Sequence, residues 1–389
     1  MHAYRPPRTI WHLDLDSFFV SAERLRNPAL NNMPVAVGGS GPRAVISSAS
    51  YEARTMGVRS AMPTARALKA CPQLILCPPD FALYSQLSKK VFGLLDSFTP
   101  VWEAVSIDEA YLDMTGSESL FGRPREAAEK LRAAILKAAG LNASVGIATN
   151  RLVAKVATDR AKPNGILVVE SGKEAEFLAP LEVSRLPGVG KVTHAWLLDR
   201  SLKTIAQLQR YPSDVLEKHL GKFGLYLHDA AWGRGSVEFH EETKHPSISR
   251  ETTFETDEDD PKKIEEEIWQ MSSDLGRSLR SQTSFARIMR LKLRYPPFHT
   301  VTRSRVMKMP TQNDRAIFDA AMALLKDNWL DNAPLRLIGI GCVLGSGEHQ
   351  LDIFDEQKTV VDQNKLDTLK DALTKRFGPN ALKYGRDTQ

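Results

Sequence analysis

The chain has 389 residues but only three cysteines, Cys71, Cys77 and Cys342, and no C-x-x-C pair. This argues against a disulfide framework and a cysteine zinc site, and it fits a reducing cytoplasm. No apolar run is long enough to span a bilayer, and the N-terminus lacks the apolar segment of a signal peptide. There is no internal repeat and no low-complexity tract. A further absence is local: from Leu275 to Asn313 there is no acidic residue, although Arg and Lys recur throughout. Hydrophobic residues make up 42% of the chain, enough for the cores of two or more domains. Charged residues make up 25%, with a net charge of +5, which permits a polyanionic partner without demanding one.

The stretch Val105–Asp113 sets two acids, Asp108 and Glu109, side by side in a strand-like run. Neighbouring side chains on a strand point to opposite faces, so two adjacent acids reach one site only at a turn or a strand end. Val105, Ile107, Tyr111 and Leu112 predict a buried β-hairpin with the acids near its tip. An exposed tip is the plainer reading. A second acidic strand, Ile10–Asp16, tips the balance toward a site. There Trp11, Leu13 and Leu15 alternate with His12, Asp14 and Asp16, which predicts an apolar face on a core and an acidic face toward the hairpin.

Asp16 or Ser17 is placed to cap a helix, whose free N–H groups would face a phosphate held at Asp14. Phe18 and Phe19 in that helix read equally as core. Two short strands follow, 34–38 and 44–48, then a helix in which Tyr51 and Arg54 share a face. Their convergence suits a phosphate, and a solvated helix face is the alternative. This small region reads as a subdomain inserted before a helix over 81–98. After the hairpin come an amphipathic helix over 126–139 with Leu131, Ile135 and Leu136 on one side, a strand over 143–148, a helix over 152–160 and a strand over 166–169. Strand, helix, hairpin, helix, strand is the ferredoxin-like pattern. Lys155 and Lys162 flank the last connection, and Lys162, beside a Pro-Asn-Gly turn, is the better ligand candidate.

Leu186-Pro-Gly-Val-Gly-Lys191 is a helix-hairpin-helix signature. Gly188 and Gly190 let backbone N–H groups approach a phosphate, and Lys191 adds charge. In the acid-free stretch, Arg290, Lys292 and Arg294 alternate with Leu291 and Leu293, giving a strand with one basic and one apolar face. Arg303 and Arg305 are expected to repeat that parity on the next strand. A one-sign sheet face favours a nucleic-acid backbone. The strand 335–343 is expected to close the sheet. Gln350-Leu-Asp-Ile-Phe354 and a helix over about 362–376 follow.

Leu13-Asp-Leu-Asp-Ser-Phe-Phe19, Ser50-Tyr-Glu-Ala-Arg54, Ser106-Ile-Asp-Glu109 and Ala161-Lys-Pro-Asn-Gly165 match, in order and spacing, the Y-family translesion DNA polymerases. The chain resembles the DinB or DNA polymerase IV group over nearly its whole length. Ser17 stands where relatives often carry Cys or Tyr. The resemblance implies an α+β multidomain fold: a ferredoxin-like palm (1–17 and 80–169) with small inserted fingers (18–79), and a helical thumb with the helix-hairpin-helix (170–236). A linker (237–246), an α/β little finger (247–346) and a tail (347–389) with a C-terminal helix complete it.

It further implies template-directed addition of deoxynucleotides to a primer 3′ end by two-metal phosphoryl transfer, at low fidelity, in DNA damage tolerance and repair. Proofreading is not expected, because no second carboxylate cluster is seen. Two Mg²⁺ ions, with Mn²⁺ able to substitute, would be held by Asp14, Asp108, the carbonyl of Leu15 and Glu109, with Asp16 supporting the site. Tyr51, Arg54, Lys162 and the N–H groups near Phe18 and Phe19 would hold the triphosphate, with Phe19 as steric gate under the sugar. Gly188, Gly190, Lys191, Arg290, Lys292, Arg294, Arg303 and Arg305 would meet primer-template DNA. Gln350, Leu351, Ile353 and Phe354 would bind a sliding clamp. A monomer in the cytoplasm, nucleoid-associated in a bacterium and without a membrane partner, is the corresponding setting. A nucleotide cyclase would leave the G-x-G turn and basic sheet unexplained, and a DNA-binding protein without activity would leave the acids unexplained. An inactive, clamp-bound relative would have lost acids that are present here.

Overall fold

The computed structural model describes residues 8–239, 247–345 and 357–378. The chain divides into two compact units, residues 1–242 and 243–389.

In the first unit, β1 (Ile10–Leu15) runs through Ser17 into α1 (Phe18–Arg26). The chain then builds a small sheet from β2 (Val35–Gly38), β3 (Ile46–Ala49) and, after α2 (Tyr51–Thr55) and α3 (Thr64–Ala70), β4 (Ile75–Cys77). Its order is β3-β2-β4, and the sequence patterns had not revealed α3 and β4. The main sheet resumes after α4 (Phe81–Phe92) with β5 (Trp102–Ala104) and β6 (Glu109–Asp113). It continues past α5 (Glu118–Phe121) and α6 (Pro124–Ala139) with β7 (Ala143–Ala148), then α7 (Arg151–Ala161) and β8 (Ile166–Val168). The order is β5-β6-β1-β7-β8. The first four strands are antiparallel neighbours in the ferredoxin-like arrangement, and β8 adds to the edge parallel to β7.

Local chemistry sets the helix starts. Asp80 Oδ1 accepts the Leu83 N–H (3.0 Å) and Asn150 Oδ1 the Val153 N–H (3.1 Å). The helix expected over 81–98 stops at Phe92, and a separate turn of 3-10 helix covers Leu95–Ser97. On α6 the buried stripe is Ala127, Ala128, Leu131, Ile135 and Ala139; Leu136 is half exposed, one step off that stripe. β1 is buried on both faces, not one. Its polar face is covered by α7, which lies so close to β7 that a Cβ on Gly146 would sit 2.1 Å from the Ala154 carbonyl. Five helices complete the unit: α8 (Glu174–Leu178), α9 (Lys191–Leu198), α10 (Ile205–Gln209), α11 (Ser213–Leu220) and α12 (Lys222–Ala231), around Leu178, Leu197, Ile205, Leu208 and Leu216.

The second unit is a sheet with helices on one face. Its elements are β9 (Ser247–Glu258), α13 (Pro261–Ser281), β10 (Phe285–Tyr295), β11 (His299–Thr311), α14 (Asp314–Asn328), β12 (Leu335–Gly345) and α15 (Gln357–Phe377). The order is β11-β10-β12-β9, all antiparallel. Thus β12 is an interior strand, and β9, a strand the sequence patterns had not revealed, forms the edge. Ile264, Ile268 and Leu275 of α13 meet Leu291, Leu293 and Ile340 of the sheet. α15 docks on α13 through charge: Arg280 is bonded to Asp314 (2.8 Å) and Asp371 (2.6 Å), while Asn313 Nδ2 donates to Asp367 (2.9 Å).

Candidate active site and nucleic-acid interface

The register of β1 and β6 sets Asp14 directly opposite Glu109, so both side chains leave one face of the sheet. Asp108 lies just before β6, in the turn. The Ser106 hydroxyl organises that turn: it accepts the N–H groups of Asp108 (3.2 Å) and Glu109 (3.1 Å) and donates to Asp108 Oδ1 (2.6 Å). The hairpin therefore differs from the expected one. Its strands are 102–104 and 109–113, and Val105 is half exposed in the turn. This is how two adjacent acids reach the same edge. The Leu15 N–H donates to the Asp108 carbonyl (3.0 Å), tying the end of β1 to the turn. Asp108 faces Ser106, and among the described residues no three His, Cys, Asp or Glu side chains gather as a metal cluster.

Two lysines answer the acids. Lys162 Nζ lies 2.6 Å from Asp14 Oδ2, and Lys155 Nζ donates to Glu109 Oε2 at 2.8 Å. Lys162 is thus not alone: each lysine neutralises one acid. His12 is fully buried, with Nδ1 3.0 Å from Thr158 Oγ1 and Nε2 3.6 Å from Glu109. Burial pushes Asp14 up to about 7, against the pull of Lys162. Glu109 is held well below the usual carboxylate range by its hydrogen bond to His12 and by Lys155. Burial lowers His12.

Beyond this pair, the Phe18 ring is 2% exposed and belongs to the core, so only its backbone is available to a ligand. Phe19 is half-buried and stacked on Tyr84, centroids 4.3 Å apart. Ser17 is the residue before α1, in a left-handed conformation (φ 46°), and its side chain makes no capping bond. Asp16 is no cap either: its carboxylate accepts from the Tyr51 hydroxyl, the Ser144 hydroxyl and the Asn164 N–H. The Arg54 guanidinium lies over the Tyr51 ring at 4.9 Å and donates to the Ala49 carbonyl. The two residues are stacked neighbours whose polar ends have different partners, and neither is fully solvated.

At the G-x-G turn, Gly188 has φ 89°, where a side chain would be strained and would meet the Phe223 ring at 3.1 Å. Gly190 precedes α9, and its N–H donates to the Gly188 carbonyl (3.0 Å). Lys191 and Val192 at the start of α9 are exposed.

In the second unit the register corrects the expected parity. Arg290, Lys292 and Arg294 pair with Ser304, Thr302 and Thr300 on the open face. Arg303 and Arg305 pair with Leu291 and Met289, so they point to the helix side, where Arg305 bonds Asp327 of α14 at 2.7 Å. Three residues, 296–298, join these strands, and an odd loop pairs even-numbered residues with even. The open face is also not purely basic, since Glu251 reaches it from β9. Gln350, Leu351, Ile353 and Phe354 lie outside the described residues.

A model of the impB/mucB/samB family matches residues 13–159 and one of its C-terminal domain matches 245–352. A model described as the thumb domain of DNA polymerase-iota matches 184–235. Among solved structures, a Y-family DNA polymerase chimera of Dbh and Dpo4 aligns with TM-score 0.76 and 25% identity, covering 86% of this chain and 98% of its own. A DNA polymerase IV of Dehalococcoides mccartyi (strain CBDB1) is 40% identical over 386 residues, 97% of each chain. The chain belongs to the Y-family DNA polymerases. A second relative of the same name, from Desulfatibacillum aliphaticivorans, is 36% identical over 96% of this chain and 95% of its own. The Y-family likeness thus spans both units. Ser106 stood in a recognised motif without a role, and Ser144 and Thr158 were missed: both are small hydroxyls that nothing in a hydropathy pattern marks.

Proposed function

We propose that this DNA-directed DNA polymerase of the translesion type adds deoxynucleotides to a primer 3′ end at the sheet edge that carries Asp14, Asp108 and Glu109. The observation that carries the reading is the Asp14–Glu109 pair, set face to face across the ladder and countered by Lys162 and Lys155. Such a donor set suits hard divalent cations: all ligands are oxygens, and the carboxylates, Asp14 buried and Asp108 and Glu109 half-buried, concentrate negative charge. Asp14, Asp108, Glu109 and the Leu15 carbonyl would hold two Mg²⁺ or Mn²⁺ ions. When bound, the ions supply activation of the 3′-hydroxyl and charge balance for the leaving pyrophosphate. Lys162, Tyr51 and Arg54 hold the triphosphate, assisted by the N–H groups of Phe18 and Phe19 at the start of α1. Phe19 carries the sugar.

In this reading residues 1–17 and 80–169 are the palm, 18–79 the fingers, 170–236 the thumb, and 247–346 the little finger. Gly188, Gly190 and Lys191 grip the DNA backbone from the thumb. Arg290, Lys292 and Arg294 do so from the open sheet face. Gln350, Leu351, Ile353 and Phe354 engage a sliding clamp. The enzyme works as a monomer in the cytoplasm; among the described residues no helix is long and apolar enough to cross a membrane.

Primer extension tests the site. Asp108→Ala should lower extension on the order of a thousandfold, with primer-template affinity retained. Extension within tenfold of wild type would remove Asp108 from the chemistry. Leu351→Ala with Phe354→Ala should abolish clamp stimulation and leave basal synthesis intact, since apolar anchors of this kind are each worth about 2 kcal/mol or more.

A further inference from the structure

We propose that Asp16 is a positioning residue that locks the nucleotide-facing groups Tyr51 and Lys162 into one frame, and is not a metal ligand; this rests on the polymerase reading above. Asp16 is 4% exposed, and each of its backbone and side-chain polar groups is engaged. Its N–H donates to the Asn142 carbonyl (3.0 Å), and its own carbonyl accepts from the Ser21 hydroxyl (2.6 Å). Oδ1 accepts from the Tyr51 hydroxyl (3.2 Å) and the Ser144 hydroxyl (2.9 Å), and Oδ2 accepts from the Asn164 N–H (2.7 Å). These partners come from five places in the chain: the loop before β7, α1, α2, β7 and the turn after α7. Both carboxylate oxygens are therefore committed to donors that are not the Asp14–Glu109 pair.

Two of those donors lead to the substrate. Tyr51 is the aromatic hydroxyl of the inserted sheet region. Asn164 is two residues beyond Lys162, whose ammonium is bonded to Asp14, and it holds a left-handed conformation (φ 50°). A shift of Asp16 therefore disturbs both Tyr51 and the turn that carries Lys162. The partners' chemistry also dictates the residue type. All three side-chain contacts are donors, and a carboxylate offers acceptors only. Asparagine offers one acceptor oxygen. It must either set its NH₂ against the Asn164 N–H or force both hydroxyls to reverse their role.

The test measures binding of the complementary deoxynucleotide to enzyme on a dideoxy-terminated primer-template with Mg²⁺. Asp16→Asn should weaken nucleotide affinity five- to tenfold, with primer-template affinity and the Mg²⁺ requirement unchanged. Tyr51→Phe should weaken it as well, and the double variant should lose less than the product of the two. Ser144→Ala, which removes one donor away from the nucleotide, should cost two- to threefold and serves if Asp16→Asn does not fold. Nucleotide affinity within twofold of wild type for both Asp16→Asn and Ser144→Ala would overturn the proposal. So would multiplicative effects in the double variant, or a raised Mg²⁺ requirement with nucleotide affinity intact, which is the signature of a ligand. Wild-type enzyme that binds primer-template but no nucleotide would instead overturn the polymerase reading itself.

Discussion

Lys292 Nζ lies 2.8 Å from both carboxylate oxygens of Glu251. The two are not on adjacent strands. Lys292 of β10 sits opposite Gly339 of β12, which sits opposite Glu251 of β9. With no side chain at 339, the pair closes across the intervening strand. One of the three open-face cations is thus already countered before DNA arrives. Glu251→Gln should release it, raising DNA affinity severalfold at low salt and steepening the log–log salt slope by up to about 0.9. Replacing Arg290, Lys292 and Arg294 together should flatten the slope and weaken binding across all sequences, because backbone contacts carry no base information. A salt slope that ignores both changes would show that this face does not meet DNA.

Phe19 rests on Tyr84, whose hydroxyl is anchored on Glu23 at 2.7 Å. The half-buried ring has a rigid platform behind it, as a steric gate requires. Phe19→Ala should keep deoxynucleotide insertion and raise the ratio of ribo- to deoxynucleotide insertion. Burying an unpartnered hydroxyl costs about 1–3 kcal/mol, so the gain should be roughly five- to 150-fold. A lowered Tm with an unchanged ratio would assign the ring to the core alone.

Burial opposes the charge of Asp14 and pushes it up to about 7, against 3.8 for an exposed aspartate. The folded value is the higher one. Its cost to stability is therefore absent below about pH 4, where the carboxyl is neutral in both states. It accrues between about pH 4 and 7 and is constant above that. A divalent cation reverses that cost by favouring the ionised form. The Mg²⁺-induced rise in Tm should then be larger at pH 8 than at pH 6, and apparent Mg²⁺ affinity should fall by up to about tenfold per unit below pH 7. A pH-independent Mg²⁺ effect over that range would detach Asp14 from the ion.

The sequence was most legible where a pattern has a short period. Alternation in β1 named Asp14, and the pattern of elements named the ferredoxin-like sheet, because side-chain parity and helix period are local properties. It was least legible where one element covers another. Alternation could not show that the polar face of β1 is buried under α7, since nothing in residues 10–16 records which helix lies above them. The parity of Arg303 and Arg305 was misread for a different reason. Both strands alternate correctly, but the loop of three residues between them sets which parities meet. Glu251 was invisible because it belongs to a strand two places away.

A missing side chain governs how accurately two charges are delivered. Lys155 lies on α7 and Lys162 caps its end, and α7 approaches β7 to the distance that Gly146 allows. The lysines therefore inherit their height above Asp14 and Glu109 from the one position in β7 where even a methyl group has no room. The spacing of the two lysines is set there, on the strand next to the one that carries Asp14, by a residue with no side chain.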